Sequence, residues 1–135
     1  MDIGQETKAV QALAPDNWAA GTHNGGAIDT AGFHEALFCL NAGANGGSGT
    51  VDVHVEESAA SDSGFADVTD AVFTQVTEAN DNGIYAGRVR ITPSRKRYLR
   101  AVAVVAVAAC DVGIVCVLGD ANNLPAATPE FDIHG

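Results

Sequence analysis

Alternating apolar and polar positions are the main signal along this chain, and they indicate β-strands. Residues 50–56 read Thr-Val-Asp-Val-His-Val-Glu, so valine occupies every second position. Successive side chains of a strand point to opposite faces, and this stretch is therefore predicted to be a strand with one buried and one solvated face. Residues 84–91 alternate in the same way and place Arg88 and Arg90 together on the solvated face.

Further apolar runs, separated by turn-forming residues, predict an all-β domain. Strands are expected in residues 33–40, 65–68, 72–76, 97–107 and 112–118. Segments rich in Gly, Asn, Ser or Pro separate them, in residues 41–49, 58–64, 80–83 and 92–96. The dipeptide Asn45-Gly46 favours a hairpin turn with a positive φ. Roughly seven or eight short strands at these spacings predict an antiparallel β-sandwich or jelly roll of single-domain size.

The Val-rich residues 101–118 leave two interpretations open. Their length suits a membrane helix, but Asp111 lies near the middle, where a charge costs roughly 3 kcal/mol, and Gly113 follows it. Val and Ile also favour sheet over helix in a soluble setting. We therefore expect two buried strands joined by a tight turn at residues 108–113, with a membrane span as the alternative.

The two ends of the chain lack the strand pattern and are predicted to be extended arms. The division is an N-terminal arm in residues 1–25, a β-sandwich domain in residues 26–120 and a C-terminal tail in residues 121–135. Within the N-terminal arm, residues 5–14 have the spacing of a short helix that ends at Pro15. Trp18 either docks on a neighbouring protein surface or covers the core edge of its own domain.

The charge of the chain is strongly negative but unevenly distributed. The 135 residues carry 17 acidic and 7 basic side chains, a formal net charge of −10. This length fits one domain, and the negative field argues against a general nucleic-acid binder. Six of the 7 basic residues nevertheless lie within residues 88–100, where there is no acid. This basic strip consists of Arg88, Arg90, Arg95, Lys96, Arg97 and Arg100.

Two interpretations of the basic strip remain open. If the two strands around it form a hairpin, its like charges collect at one end of a sheet and need opposing charge or open water. One interpretation is internal pairing with acids of the same chain. The other is a docking surface for an acidic partner, including another copy of this acidic protein, because arginine donors suit several carboxylates at once.

Residue types that could carry catalysis or bind a metal are scattered along the sequence. Cys39, Cys110 and Cys116 lie in apolar strand patterns, where cysteine is usually a small core residue, and we expect reduced thiols. No two of the 4 histidines have a spacing that would put both imidazoles on one face. Acids such as Asp67 and Asp70 lack the loop motif of a calcium site. We therefore predict no catalytic residue, no metal and no cofactor.

Three sequence phrases resemble a family of small proteins from tailed bacteriophages. They are GTVDVHVEES in residues 49–58, FADVTDAVFTQV in residues 65–76 and RKRYLRAVAVVA in residues 95–106. Over residues 26–124 the chain is similar to capsid decoration, or cement, proteins. The resemblance implies a protein on the outside of an assembled head that reinforces contacts between major capsid subunits. It marks residues 95–100 as a recurring basic turn and implies no catalytic residues.

The resemblance therefore leads us to expect a structural virion protein rather than an enzyme, made in the host cytoplasm and located on the capsid exterior. Its expected partners are the major capsid protein and further copies of itself, as a homotrimer, with no nucleic acid and no membrane. Trp18 and the basic strip are the expected interaction residues. The alternative is a carbohydrate- or receptor-binding β-sandwich module on a virion surface, in which Trp18, Tyr85 and Tyr98 would be candidates for sugar stacking.

Overall fold

Nine strands and one short helix make up the part of the chain that the structure describes, residues 2–123 and residue 126. The structure is a computed structural model. The helix α1 spans Ile3–Glu6, and the strands are β1 Lys8–Trp18, β2 Gly21–Asn24, β3 Ile28–Asp29, β4 Glu35–Asn45, β5 Thr50–Ser58, β6 Ala66–Val72, β7 Ile84–Arg90, β8 Tyr98–Ala106 and β9 Cys110–Gly119. Most of the predicted C-terminal tail, residues 121–135, lies outside the described residues.

The strands form two antiparallel sheets. The first sheet has the order β1-β9-β4-β7, and the second has the order β2-β8-β5-β6, with β3 also paired to β8. The chain crosses between the sheets after β1, β3, β4, β6, β7 and β8, whereas β5 and β6 are chain neighbours that pair within the second sheet. The predicted antiparallel β-sandwich is confirmed.

The inward side chains of both sheets share one hydrophobic core. Phe38 and Leu40 come from the first sheet and Leu99 from the second, and all three are fully buried. The predicted alternation of β5 is confirmed, because its three valines are at most 2% exposed while the residues between them are half-buried. Burial of every second side chain removes apolar surface from water, and this drives the two sheets together.

The helix predicted for residues 5–14 is wrong for most of its length. Only Ile3–Glu6 is helical, and residues 8–18 form β1 at the edge of the first sheet, paired with β9. The ladder shifts register twice, between Gln11 and Leu13 and again between Leu13 and Asp16. Pro15 therefore lies at an irregularity of an edge strand, the place in a sheet where a residue without an N–H is tolerated. The segment predicted as an arm thus contributes strands to both sheets.

The Val-rich residues 101–118 form two strands, as expected, but these strands do not pair with each other. β8 belongs to the second sheet and β9 to the first, and residues 107–109 connect them with Val107 at φ 73°. The turn is therefore shorter and earlier than the predicted residues 108–113. Among the described residues, no helix has the length and apolar character needed to cross a membrane.

Two other loop predictions need correction. β4 continues to Asn45, so the connection to β5 is limited to residues 46–49, and the positive φ falls on Ser48 rather than on the Asn-Gly dipeptide. β4 and β5 lie in different sheets, so this is not a hairpin. The two short strands predicted in residues 65–76 are one strand, β6, followed by an isolated bridge between Val76 and Val51.

Candidate interaction surface

The basic strip lies where the chain crosses from the first sheet to the second. Arg88 and Arg90 are on β7, which pairs with β4, whereas Arg100 is on β8, which pairs with β5. The hairpin assumed from the sequence is therefore wrong. The turn itself is present, because the Arg95 N–H donates to the Thr92 carbonyl at 2.9 Å, but a turn of this kind does not specify which sheet the chain enters next.

Arg97 is held by Asp29 of β3 in a two-pronged ion pair. Its Nε and Nη2 donate to the two carboxylate oxygens, each at 2.8 Å, which is the fork geometry that makes arginine–carboxylate pairs strong. The hydrogen bond from Arg97 lowers the pKa of Asp29 to about 2, although slight burial opposes the shift. The guanidinium also lies 5.3 Å from the ring centre of Tyr98.

Arg100 forms the most enclosed of these pairs with Glu56, directly opposite on β5. Both Nε and Nη2 approach the same oxygen, Oε1, at 2.8 and 2.6 Å, and the guanidinium stacks 4.3 Å from the ring centre of Phe65. Burial raises the pKa of Glu56, but the hydrogen bonds from Arg100 and His54 outweigh it, and the net pKa is lowered. The carboxylate is therefore fixed in its charged form.

Two further arginines have acidic partners. Arg95 Nη1 contacts Glu57 of β5 at 3.1 Å, and the same carboxylate accepts the backbone N–H of Lys96 at 2.9 Å, which ties the loop to the second sheet. Arg88 contacts Glu35 of β4 at 3.3 Å with more than half of its side chain exposed. Exposed pairs of this kind contribute little to stability.

Internal pairing therefore accounts for four members of the basic strip, namely Arg88, Arg95, Arg97 and Arg100. Arg90 and the Lys96 side chain are exposed and have no side-chain partner among the residues that the structure describes. A docking role for the strip stays a prediction. Within the strip, Arg90 and Lys96 are the residues whose side-chain charge is unpaired among the described residues.

Trp18 covers an edge of its own domain. Its indole N–H donates to the carbonyls of Ala14 and Val112 at 3.0 and 3.1 Å, its ring packs against the core, and the ring of His23 lies 4.7 Å away. Tyr85 likewise donates its hydroxyl to a backbone carbonyl. A contact between Trp18 and a partner, and the alternative role in carbohydrate or receptor binding, both stay predictions.

The cysteines behave as core residues. Cys110 and Cys116 are fully buried, Cys39 is half-buried, and all three are free thiols. Burial raises the pKa of Cys116 to about 12 and also raises that of Cys110. The reactive form of cysteine is the thiolate, so Cys110 and Cys116 are poorly suited to act as nucleophiles.

One cluster of polar side chains was not predicted from the sequence. His54 and Glu56 of β5 and Asp67 of β6 gather on the outer face of the second sheet, with one ligand atom of each within 4.8 Å of the others. The spacing of His54 and Glu56 in an alternating strand already places them on one face. The contribution of Asp67 depends on the pairing of β5 with β6, which no local pattern reveals.

Comparison with known proteins gives only distant likenesses. No protein-family model and no curated protein match the sequence. The SPBc2 prophage-derived protein YomS has 13% identity and a TM-score of 0.47, over 84% of this chain and 93% of YomS. A chain of the disulfide-linked pili that form Bacillus endospore appendages has 15% identity and a TM-score of 0.34, over 83% and 86% of the two chains. A chain of the Israel acute paralysis virus pentamer has 6% identity and a TM-score of 0.37, over 97% and 74%. Similarity at this level assigns neither a family nor a function.

Proposed function

We propose that this chain is a non-enzymatic structural protein of a phage virion, which binds the outside of an assembled icosahedral head and stabilises contacts between major capsid subunits. In this proposal it acts as a homotrimer, and the sandwich is a jelly roll. The jelly-roll form is supported by the strand order, in which most consecutive strands lie in different sheets. Head binding by many copies needs only a modest contact from each subunit, because several contacts made together give avidity.

The observation that carries this proposal is the position of the three phrases that resemble decoration proteins. The first corresponds to β5, the second contains β6, and the third contains the end of the loop before β8 and the whole of β8. These strands are neighbours in the second sheet, in the order β8-β5-β6. The phrases that resemble the family therefore form one continuous piece of the fold.

Side-chain contacts also join the three phrases to one another. The pairs Arg100–Glu56 and Arg95–Glu57 connect the third phrase to the first, and the ring of Phe65 connects the second phrase to Arg100. These contacts make the three phrases one connected unit of the fold.

The surface charge supports a protein partner rather than a nucleic acid. The molecule has a net charge of −10, and the exposed Arg90 and Lys96 are available to contact an acidic surface. Charge complementarity of this kind sets register and association rate at interfaces. The edge strands β1, β7 and β6 also offer unpaired backbone groups, and trimer formation would cover some of them.

The proposal is tested by removing the free charges of the basic strip without disturbing its ion pairs. Arg90→Gln and Lys96→Gln each remove one positive charge from an exposed side chain, whereas substitutions at Arg95 or Arg97 would also break internal pairs. We expect both variants to keep the wild-type melting temperature and to occupy fewer sites on undecorated heads in a cosedimentation assay. Light scattering of the purified wild type and variants, without heads, should give the mass of three 13.8 kDa chains.

The matched control is Ser61→Asp, which lowers the net charge by the same amount at an exposed position of the loop between β5 and β6. It should bind heads as the wild type does. If all three variants occupy heads equally, the basic strip is not the docking surface. If the wild-type protein itself does not bind heads, the proposed function is wrong.

A further inference from the structure

A cluster of one imidazole and two carboxylates lies beside Arg100 of the basic strip, on the outer face of the second sheet. We propose that His54, Glu56 and Asp67 form a binding site for a divalent transition-metal ion, with Zn²⁺ as the ion that this ligand set favours. Zinc is bound in proteins by imidazole nitrogen and carboxylate oxygen, often with three protein ligands and a further position left for water. The proposal rests on the geometry of these side chains and is independent of capsid binding.

The separations between the ligand atoms suit a small cation. His54 Nε2 lies 3.1 Å from Glu56 Oε2 and 3.5 Å from Asp67 Oδ1. Two ligands at about 2.0–2.1 Å from a tetrahedral zinc are roughly 3.4 Å apart. The distance from His54 to Asp67 already fits, and the hydrogen-bonded distance from His54 to Glu56 would have to lengthen only slightly. The Asp67 side chain is 79% exposed, and its rotation can bring the third oxygen into range without moving the backbone.

Arg100 fixes the orientation of the Glu56 carboxylate. Its two donors engage Oε1, which leaves Oε2 directed at His54. Metal sites regularly contain residues that do not touch the metal but hydrogen-bond a metal-binding side chain and fix its orientation. The positive charge of Arg100 weakens the attraction for a cation, but two carboxylates face one guanidinium here, so the site keeps a negative balance when the imidazole is neutral.

A bound ion would link two strands at a short, irregular ladder of the second sheet. β6 is an edge strand, and its ladder with β5 has three matched pairs and a register shift between His54 and Glu56. By contrast, β5 pairs with β8 at nine consecutive positions. The ligands come from both β5 and β6 and flank the shift. Metal binding to the folded state alone would therefore stabilise the attachment of β6.

The competing explanation is an ion-paired cluster without a metal, in which His54 hydrogen-bonds Glu56 and is attracted to Asp67. The two explanations differ in their response to added metal. The full chain, freed of metal by a chelator, is titrated with Zn²⁺ by calorimetry, and its melting temperature is followed. We expect saturation at one ion per chain, a rise in melting temperature with Zn²⁺ concentration, and an NMR shift of the His54 ring resonances.

Two variants and two matched controls complete the experiment. Loss of a residue that only orients a metal ligand usually lowers metal affinity roughly 10–100-fold. His54→Ala and Asp67→Asn each remove a direct ligand, so each should lower Zn²⁺ affinity by at least about tenfold. Asp67 is largely exposed, so its variant will fold even if His54→Ala does not. The controls His23→Ala and Asp62→Asn change the same residue types outside the cluster and should bind Zn²⁺ normally. Zn²⁺ binding that is absent in the wild type, or unchanged in Asp67→Asn, would overturn the proposal and leave the ion-paired cluster only.

Discussion

At the scale of single residues, Gly25 occupies a position where the fold leaves no room for a side chain. Its N–H donates to the Ala101 carbonyl at 2.7 Å, and a Cβ at this position would lie 2.0 Å from the Ala12 carbonyl oxygen and 2.8 Å from that of Ala101. Both obstacles are backbone atoms, so no side-chain rotation can relieve the clash. Gly25 therefore permits the close approach of the segment after β2 to β1 and β8.

We predict that Gly25→Ala destabilises the protein by about 3 kcal/mol, because insertion of even one carbon into a closed site forces the backbone apart. Urea unfolding measures the effect. The neighbouring Gly26→Ala is the control, because a Cβ there would have no heavy atom within 4 Å, and its effect should stay within about 0.5 kcal/mol. Equal losses in the two variants would contradict the close approach at residue 25.

The Asp29–Arg97 pair predicts a specific dependence of stability on acid. The pKa of Asp29 is about 2 in the folded protein against an ordinary value of 3.8. Because the folded pKa is the lower one, the pair stabilises the fold fully above pH 3.8, and this stabilisation is lost as the pH falls toward 2.

In unfolding experiments over this pH range, the wild type should be more stable than Asp29→Asn above pH 3.8, and the difference should shrink as the pH falls toward 2. The control Asp62→Asn alters an exposed loop acid without an ion-pair partner among the described residues, so it measures the general effect of replacing a surface acid. A difference for Asp29→Asn that does not change with pH would contradict the pairing.

Among the structural elements, β7 and the loop that follows it are held by ion pairs of unequal burial. Arg95 is 26% exposed against a Glu57 side chain that is 15% exposed, whereas Arg88 is 57% exposed. Removal of a partner costs more where the remaining charge is shielded from water. The anchor at Arg95 is therefore expected to contribute more than the one at Arg88.

We predict that Arg95→Gln costs about 1–3 kcal/mol of unfolding free energy and that Arg88→Gln costs less than about 1 kcal/mol. The two variants make the same chemical change, so each is the control for the other. Thermal or urea unfolding compares them. A larger loss for Arg88→Gln would contradict the burial of the Arg95–Glu57 pair.

The strands could be predicted from the sequence where a local pattern decides the outcome. β5 and β7 have one wet and one buried face, so alternation alone locates them. Residues 8–14 of β1 fall within the predicted helix of residues 5–14 because they have a helical spacing before Pro15. Only their pairing with β9, about a hundred residues later, makes them a strand. A partner so distant in sequence leaves no periodic signal.

The sequence does not reveal which of the two sheets a strand joins, for a related reason. The turn between β7 and β8 has ordinary turn chemistry, which is the same whether the chain folds back on itself or crosses to the other sheet. The acidic partners of the basic strip lie in β3, β4 and β5, and they become neighbours only through the crossings. The sequence showed the clustering of the basic residues and allowed internal pairing as one interpretation, but it did not show which acids are the partners.

For the domain as a whole, the net charge of −10 describes the surface incompletely. Four arginines are matched to acids, so the strip is less basic than its sequence suggests, and Arg90 and Lys96 remain as exposed positive charges on an acidic body. Such a molecule repels polyanions and copies of itself, except through a complementary contact. This distribution is compatible with the proposed contact, in one orientation, with an acidic partner.

The proposed function is tested most directly by adding the wild-type protein to heads that were assembled without this protein. Increasing amounts of purified protein are mixed with undecorated heads, and the bound protein is quantified after sedimentation. Our account predicts binding that saturates at a fixed number of copies per head. Binding that fails to saturate, or no binding beyond that of an unrelated acidic β-sandwich protein, would contradict it.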